Sequence, residues 1–344
     1  MILVTGATGF LGHNLVSHLI ACGYSVRALV RPSSNLAYLG DLGVDLAFGD
    51  VEDSASVNKA MAGCQYVVHA AALFRFWADP KAFERTNVEG TAYVLEAARR
   101  HGVERLVHIS TVAVVGNPPP DAVIDETTSC KPVDPYQRSK LDGENLVKMF
   151  HQAARLPVII LRPGAFYGPW GHYAFNRLFF EDPLKGLRIQ VHRGQRITFP
   201  VFVPDVARAI ATALKAGQPG EIYNISGESI AHSEANAVIS QLAGISPRRL
   251  NVSANAMATL ARAWTRVAEM SGTSREPYYP LNLANYVFND WRVSSAKARA
   301  DLGFTPTPFA EGALQTLEWY WNTGLFRRPK VVPLNGKPQP ASEG

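Results

Sequence analysis

"MILVTGATGFLGHNLVSHLIACG", residues 1–23, contains the reading that decides the fold. A short apolar and β-branched run, Met1 to Thr5, leads straight into Gly6, Gly9 and Gly12, spaced G-x-x-G-x-x-G. From about Phe10 to Cys22 apolar residues then recur at helical spacing. A strand, a glycine turn and a helix in that order form a cradle for pyrophosphate. The backbone turns tightly, no Cβ stands in the way of an anion, and the helix offers free N–H groups and a positive dipole end. Three spaced glycines alone say little; directly after the first strand of a βαβ unit they carry weight. Gly6, Thr8, Gly9, Phe10, Leu11 and Gly12 are therefore expected to meet a dinucleotide.

The pattern continues outward. "YSVRALV" (24–30), "VDLAFGD" (44–50), "QYVVHAA" (65–71), "RLVHIST" (105–111) and "PVIILRP" (157–163) read as further strands. Long helices are expected over 80–102 and 134–154. Strands that are apolar almost throughout belong to a sheet covered on both faces. The expected fold class is α/β, a doubly wound parallel sheet with a smaller mixed C-terminal domain. The domains read as 1–164 for the dinucleotide and 165–328 for substrate, with elements near 200–227 returning to the first part. Residues 329–344, rich in Pro, Gly and polar residues, read as a loose tail. The apolar helix expected over 252–270 fits a lid, a dimer contact or a membrane-surface element.

Composition narrows the class. The chain has 344 residues, 47% hydrophobic and 18% charged, as in a globular protein. A net charge of +5, with no dense Lys/Arg stripe, points away from nucleic acid and suits an anionic small molecule. Cys22, Cys64 and Cys130 are isolated and read as reduced thiols of a cytoplasmic protein. The nine histidines show no zinc spacing, so no metal is expected. No apolar run is long enough to span a bilayer. Met1 leads directly into the first strand, so no cleaved leader is expected.

The strand ends give the chemistry. An acid about 20 residues past the glycines accepts the ribose hydroxyl of NAD, whereas an arginine there suits the phosphate of NADP. This position holds Arg31, followed by Ser33, Ser34 and Asn35, which favours NADP over NAD. Asp50 and Val51 close the third strand; Asp50 fits either an adenine contact or the cap of the helix that follows. Ala70, Ala71 and Ala72 close the fourth with small side chains. In "DPYQRSK" (134–140), Tyr136 and Lys140 share a helix face. Ser110 or Thr111, at the end of the fifth strand, supplies a hydroxyl beside them. A phenol is a poor base near neutrality unless an adjacent ammonium and a cationic nicotinamide favour its anion. Tyr136 would then exchange a proton with a substrate oxygen while hydride passes to or from the neighbouring carbon.

Together "TGATGFLG", "GDVED", "VVHAAA", "NVEGT", "ISTVAVVG", "YQRSK", "LRPGAFYGP" and "VFVPDVARAI" make most of the chain resemble the extended short-chain dehydrogenase/reductase superfamily, the NAD-dependent epimerase/dehydratase family. That resemblance implies a Rossmann domain, catalysis by Thr111, Tyr136 and Lys140, a nicotinamide-ribose contact from Lys140, and coenzyme contacts near Asn87 and Pro163. It also implies a homodimer through helices around 88–100 and 136–152. Within the superfamily, Val112 and Ala113 replace the Asp-Glu pair typical of sugar-nucleotide dehydratases. Thr198 stands where epimerases tend to carry a pyrophosphate-binding arginine, with Arg193 and Arg196 nearby as substitutes. "VRALVRP" and "FPVFVPDVA" resemble the dihydroflavonol reductase and 3β-hydroxysteroid dehydrogenase branch. Phe74, Phe76 and Trp77, with Phe166, Tyr167, Trp170 and Tyr173, are expected to line a partly aromatic substrate pocket. The first reading is an NADPH-dependent reductase of a partly apolar ketone. The alternatives are a nucleotide-sugar epimerase with bound NAD and, third, a non-catalytic NADP sensor.

Overall fold

A computed structural model describes residues 1–272 and 276–329. Its centre is a seven-stranded, all-parallel sheet: β1 (Ile2–Thr5), β2 (Val26–Val30), β3 (Asp45–Phe48), β4 (Tyr66–His69), β5 (Arg105–Ile109), β6 (Val158–Pro163) and β7 (Ile222–Ile225). The spatial order is β7-β6-β5-β4-β1-β2-β3, so the order reverses between β1 and β4. That reversal opens a crevice at the strand ends, where doubly wound sheets bind their ligands. The tail expected at 329–344 lies, from 330 onward, outside the described residues.

Alternation along β1 explains its unbroken apolar sequence. Ile2 and Val4 face one layer, packed with Leu11, Leu15 and Leu19 of helix α1 (Phe10–Ala21). Leu3 faces the other, with Val57 and Met61 of α2 (Ser54–Met61), Val94 and Leu95 of α3 (Gly90–Arg100), and Val147 of α4 (Pro135–Ala154). Helices thus cover both faces, and every residue of β1 is buried. The second half of the chain feeds back into this unit. Helix α5 (Val203–Ala216) puts Val206, Ile210 and Leu214 into the α1 layer, and β7 then pairs with β6 at the sheet edge.

A separate aromatic core builds the C-terminal part. Phe175, Phe179, Phe180, Phe202 and Tyr320 pack there with helices α6 (His232–Leu242) and α8 (Phe309–Asn322). Between those two in sequence, α7 (Ala254–Met270) buries only Met257, Ala261 and Ala268, while Leu260, Trp264, Val267 and Met270 stay exposed.

One buried ion pair ties the layers beneath the crevice. Glu144 of α4 is fully buried, and its two oxygens accept from Arg162 of β6 at 2.8 and 2.6 Å. Oε1 also accepts from Ser110 at 2.6 Å. Removing one member of such a pair leaves an uncompensated charge, at a cost of about 3–5 kcal/mol. Arg162→Met is expected to lose that much in urea unfolding, and Glu144→Leu added to it should recover most of the loss.

Candidate active site

The crevice is a cleft of about 550 Å³ lined by residues that follow six strands of the sheet. Its middle is the glycine turn. Gly6 has φ +73°, and a Cβ there would lie 2.7 Å from the Ala71 nitrogen. At Gly12 a Cβ would fall 2.3 Å from the Gly6 carbonyl oxygen, so α1 packs on the turn after β1 at a distance only glycine permits. Gly9 is the N-cap of α1, with no side-chain cap and no acid in the first turn. The helix therefore presents unshared N–H groups and its positive end to the cleft. The structure brings Thr8, Phe10, Leu11, Ala70, Ala71, Ala72 and Pro163 to this cleft as well.

At one end stand Arg31 and Ser34, just past β2, with Asp50, Val51 and Glu52 past β3. Helix α2 is capped by Asp53, whose carboxylate accepts from the Ala55 N–H at 3.0 Å. Asp50 is therefore not that helix's cap; its Oδ1 accepts from the Glu52 N–H at 3.1 Å, and the residue remains on the cleft wall.

At the other end Thr111, Tyr136 and Lys140 converge. Tyr136 and Lys140 lie one turn apart at the start of α4, which Asp134 caps by accepting from the Gln137 N–H at 2.8 Å. Lys140 is buried and its ammonium donates to the Ile109 carbonyl at 2.7 Å. Burial pulls its pKa down to about 8, partly opposed by Glu144 one turn further on. The Tyr136 phenol moves the other way: burial and then Asp134 raise it above its ordinary value, opposed by the Thr111 hydroxyl. The sequence pointed to an adjacent ammonium together with a cationic nicotinamide as what favours the phenolate. Here the protein's own groups keep the phenol protonated, because desolvation penalises the anion more than any nearby cation helps it.

Several expected site residues belong elsewhere. Ser110 lines the cleft with Thr111, but its hydroxyl donates to Glu144, and Thr111 is the hydroxyl that bonds Tyr136. Asn87 lies under the cleft rather than on its wall. Its side chain clamps the Leu73 N–H (2.8 Å) and carbonyl (3.1 Å) and donates to Ser139 (2.9 Å), so it shapes the loop after β4. Phe74, Phe76 and Phe166 do line the cleft, with Phe74 4.7 Å from the Tyr136 ring. Tyr167 does not: it is a core residue among Phe175, Phe180 and Phe309. Trp170 stacks on His13 at 4.5 Å outside the cleft, where an exposed turn crosses α1. Trp77 is off the wall too, and Tyr173 acts from behind. Its hydroxyl accepts from the Phe76 N–H (2.8 Å) and donates to Glu276 (2.6 Å). Neither Arg193 nor Arg196 reaches the cleft, and Arg196 is paired with Asp290.

Thr198 lines the same cleft, as do Phe199, His232, Leu283, Tyr286 and Val287, which the sequence did not point to. Tyr286 packs 5.2 Å from Phe76 and donates to Asp134 at 3.3 Å, closing the aromatic end. Val112 and Ala113 form a buried 3₁₀ turn, so no carboxylate follows Thr111. Among the described residues there is no cluster that could hold a metal and no helix long and apolar enough to cross a membrane.

The NAD-dependent epimerase/dehydratase family model matches residues 2–226. Sterol demethylase protein B of Methylococcus capsulatus is 32% identical, over 94% of this chain and 99% of that protein. A farnesyl-dihydroquinoline-oxide ketoreductase of Stigmatella aurantiaca is 31% identical, over 88% of this chain and 90% of its own. Among solved structures, Thermus thermophilus UDP-glucose 4-epimerase in complex with NAD superposes with a TM-score of 0.75 at 27% identity, over 93% of this chain and 98% of that one.

The strained position of Lys140 has a measurable signature. The folded protein loses that proton near pH 8, whereas an unfolded chain keeps it to about 10.5, so this group's contribution to stability rises with pH across that window. Lys140→Met is expected to unfold later than the parent at pH 7, by about 1–3 kcal/mol. The gap should narrow as denaturation is repeated from pH 8 to 10.5.

Proposed function

Since this chain is a member of the NAD-dependent epimerase/dehydratase family, of extended short-chain dehydrogenase/reductase enzymes, we propose that it reduces a partly apolar ketone to a secondary alcohol with NADPH. The observation that carries this reading is the pairing of the cleft's two ends. Arg31, with no acid at its own strand end, stands at one, and Tyr136 among Phe74, Phe76, Phe166 and Tyr286 at the other.

The residues fit a dinucleotide. The glycine turn leaves the space a Cβ would take, α1 meets the pyrophosphate with its N-terminus, and Arg31 with Ser34 suits the additional phosphate of NADP. Bound there, the coenzyme would supply the hydride. Thr111 and Tyr136 hold the ketone oxygen between two hydroxyls, and Tyr136 gives it a proton as negative charge develops. Burial keeps the phenol in its protonated form, the form from which it gives a proton. Lys140 keeps a positive charge under the pair, and Asn87 with Tyr173 fixes the loop that carries Phe74 and Phe76. The aromatic rings exclude water from the reacting carbon.

Two relatives carry names of lipophilic chemistry, a sterol demethylase protein and a ketoreductase of a farnesylated quinoline, which supports an apolar substrate. Elimination from a sugar nucleotide is disfavoured by Val112 and Ala113. Epimerisation with retained NAD is disfavoured by Arg31 and by the absence of an arginine at Thr198. A homodimer in the cytoplasm accords with the same reading.

Tyr136→Phe is expected to lower turnover of a ketone panel about 10²–10⁴-fold while NADPH still binds, as followed by quenching of protein fluorescence. NADPH binding with no turnover of any substrate in either the parent or the variant would return the protein to the sensor class. Arg31→Asp should shift coenzyme preference from NADPH toward NADH by about 10- to 100-fold in kcat/KM, the worth of one charged hydrogen-bonded contact. Tightly held NAD that co-purifies, together with turnover of nucleotide sugars alone, would replace this reading by the epimerase.

A further inference from the structure

Joined to the cleft is a second chamber of about 80 Å³. Leu178, Phe179, His232, Leu283 and Val287 line both spaces and so form the neck between them. Beyond the neck the walls are mainly Ile189, Val191, Pro280 and Ala284, roofed by Met257 and Ala261 on the inward face of α7. Among the described residues no lysine or arginine lines it. Its one carboxylate, Asp182, is buried, with Oδ1 accepting from the Tyr278 hydroxyl and Oδ2 without a partner. Burial holds that carboxyl above its ordinary value and the His232 imidazole down at about 4, so the neck carries no cation near neutral pH.

These walls discriminate between two kinds of ligand. A nucleoside diphosphate would bring its charges into a space with no counter-cation and an acid already present, which is costly to desolvate. A hydrocarbon loses nothing there and gains the transfer of each methylene from water. We propose that this chamber binds the apolar tail of the substrate. The ketone carbon lies beside Tyr136, and a hydrocarbon chain passes the neck between Phe179 and Leu283 and ends under α7. This assignment rests on the reductase reading and narrows its substrate to ketones bearing an extended aliphatic chain.

The test is kcat/KM with NADPH for methyl ketones from butanone to tetradecanone, alongside calorimetric binding of decanol to the NADP-loaded protein. Both are repeated in Ala261→Phe and Ala284→Phe, which fill the chamber from two sides and whose folding is checked by thermal melting. The expected result is a rise of about fourfold per methylene until the chamber is full. The ratio of long-chain to short-chain kcat/KM should fall about tenfold or more in either variant, and decanol binding should weaken in parallel. Ketone reduction with no dependence on chain length, in the parent alone if neither variant folds, overturns the chamber and leaves the reductase standing. No reduction of any ketone, but decanol binding that both fillings weaken, keeps the chamber and overturns the reductase. Neither reduction nor binding overturns both.

Discussion

The buried contact of Glu144 with Arg162 and Ser110 is the constraint on which the site depends. It joins α4, β6 and the end of β5 at one point, four residues beyond Lys140 on the same helix. The sheet therefore dictates the rotation of α4, and that rotation aims Tyr136 and Lys140 into the cleft. A surface ion pair would be too weak to set a helix this way. A buried one does so because any slip strands the Arg162 charge away from water and leaves Glu144 only the longer contact with Lys148, at 3.6 Å.

Electrostatics above that contact divide labour between two groups four residues apart. Lys140 is pulled toward losing its proton and Tyr136 toward keeping it, both through desolvation, because the two groups carry charge in opposite protonation states. Glu144 opposes the shift at Lys140, and Asp134 reinforces the one at Tyr136. The same helix thus places one acid on each side of the pair. The fixed charges favour a cationic Lys140 and a neutral Tyr136.

Much of this was legible in the sequence wherever the signal is local. The strand, the spaced glycines and the helix of residues 1–21 sit next to one another, and Gly6 and Gly12 are fixed by contacts within that unit and with the end of β4. The Tyr136–Lys140 spacing and the apolar strands follow from periodicity alone. The misplacements came where one residue's direction had to be chosen. Ser110 and Thr111 are neighbours at a strand end and both line the cleft, but the Ser110 hydroxyl donates to Glu144 while that of Thr111 meets Tyr136. Phe166 and Tyr167 are neighbours in the short strand Ala165–Tyr167, and only the first faces the cleft. Strand alternation was the available signal in both pairs. The segment around Leu283 and Tyr286 offered none. Its position is set by distant partners, Asn282 donating to the Phe76 carbonyl and Tyr286 to Asp134, which no local pattern encodes.

Coenzyme and substrate ends also bear on one another through the direction of reaction. A tyrosine held neutral is already in the state needed to deliver a proton to a ketone oxygen, whereas oxidation of an alcohol would first require its anion. An arginine at the end of β2 favours the phosphorylated coenzyme, whose bound form would bring further negative charge near the cleft's exposed end and none near Tyr136. Neither group contacts the other: Arg31 acts on the choice of coenzyme and Tyr136 on the proton. In the oxidative direction a cationic nicotinamide would supply the charge that favours the Tyr136 anion, since Lys140 is bonded to the Ile109 carbonyl. Either reading uses Tyr136, so the choice between reductase and epimerase turns on Arg31.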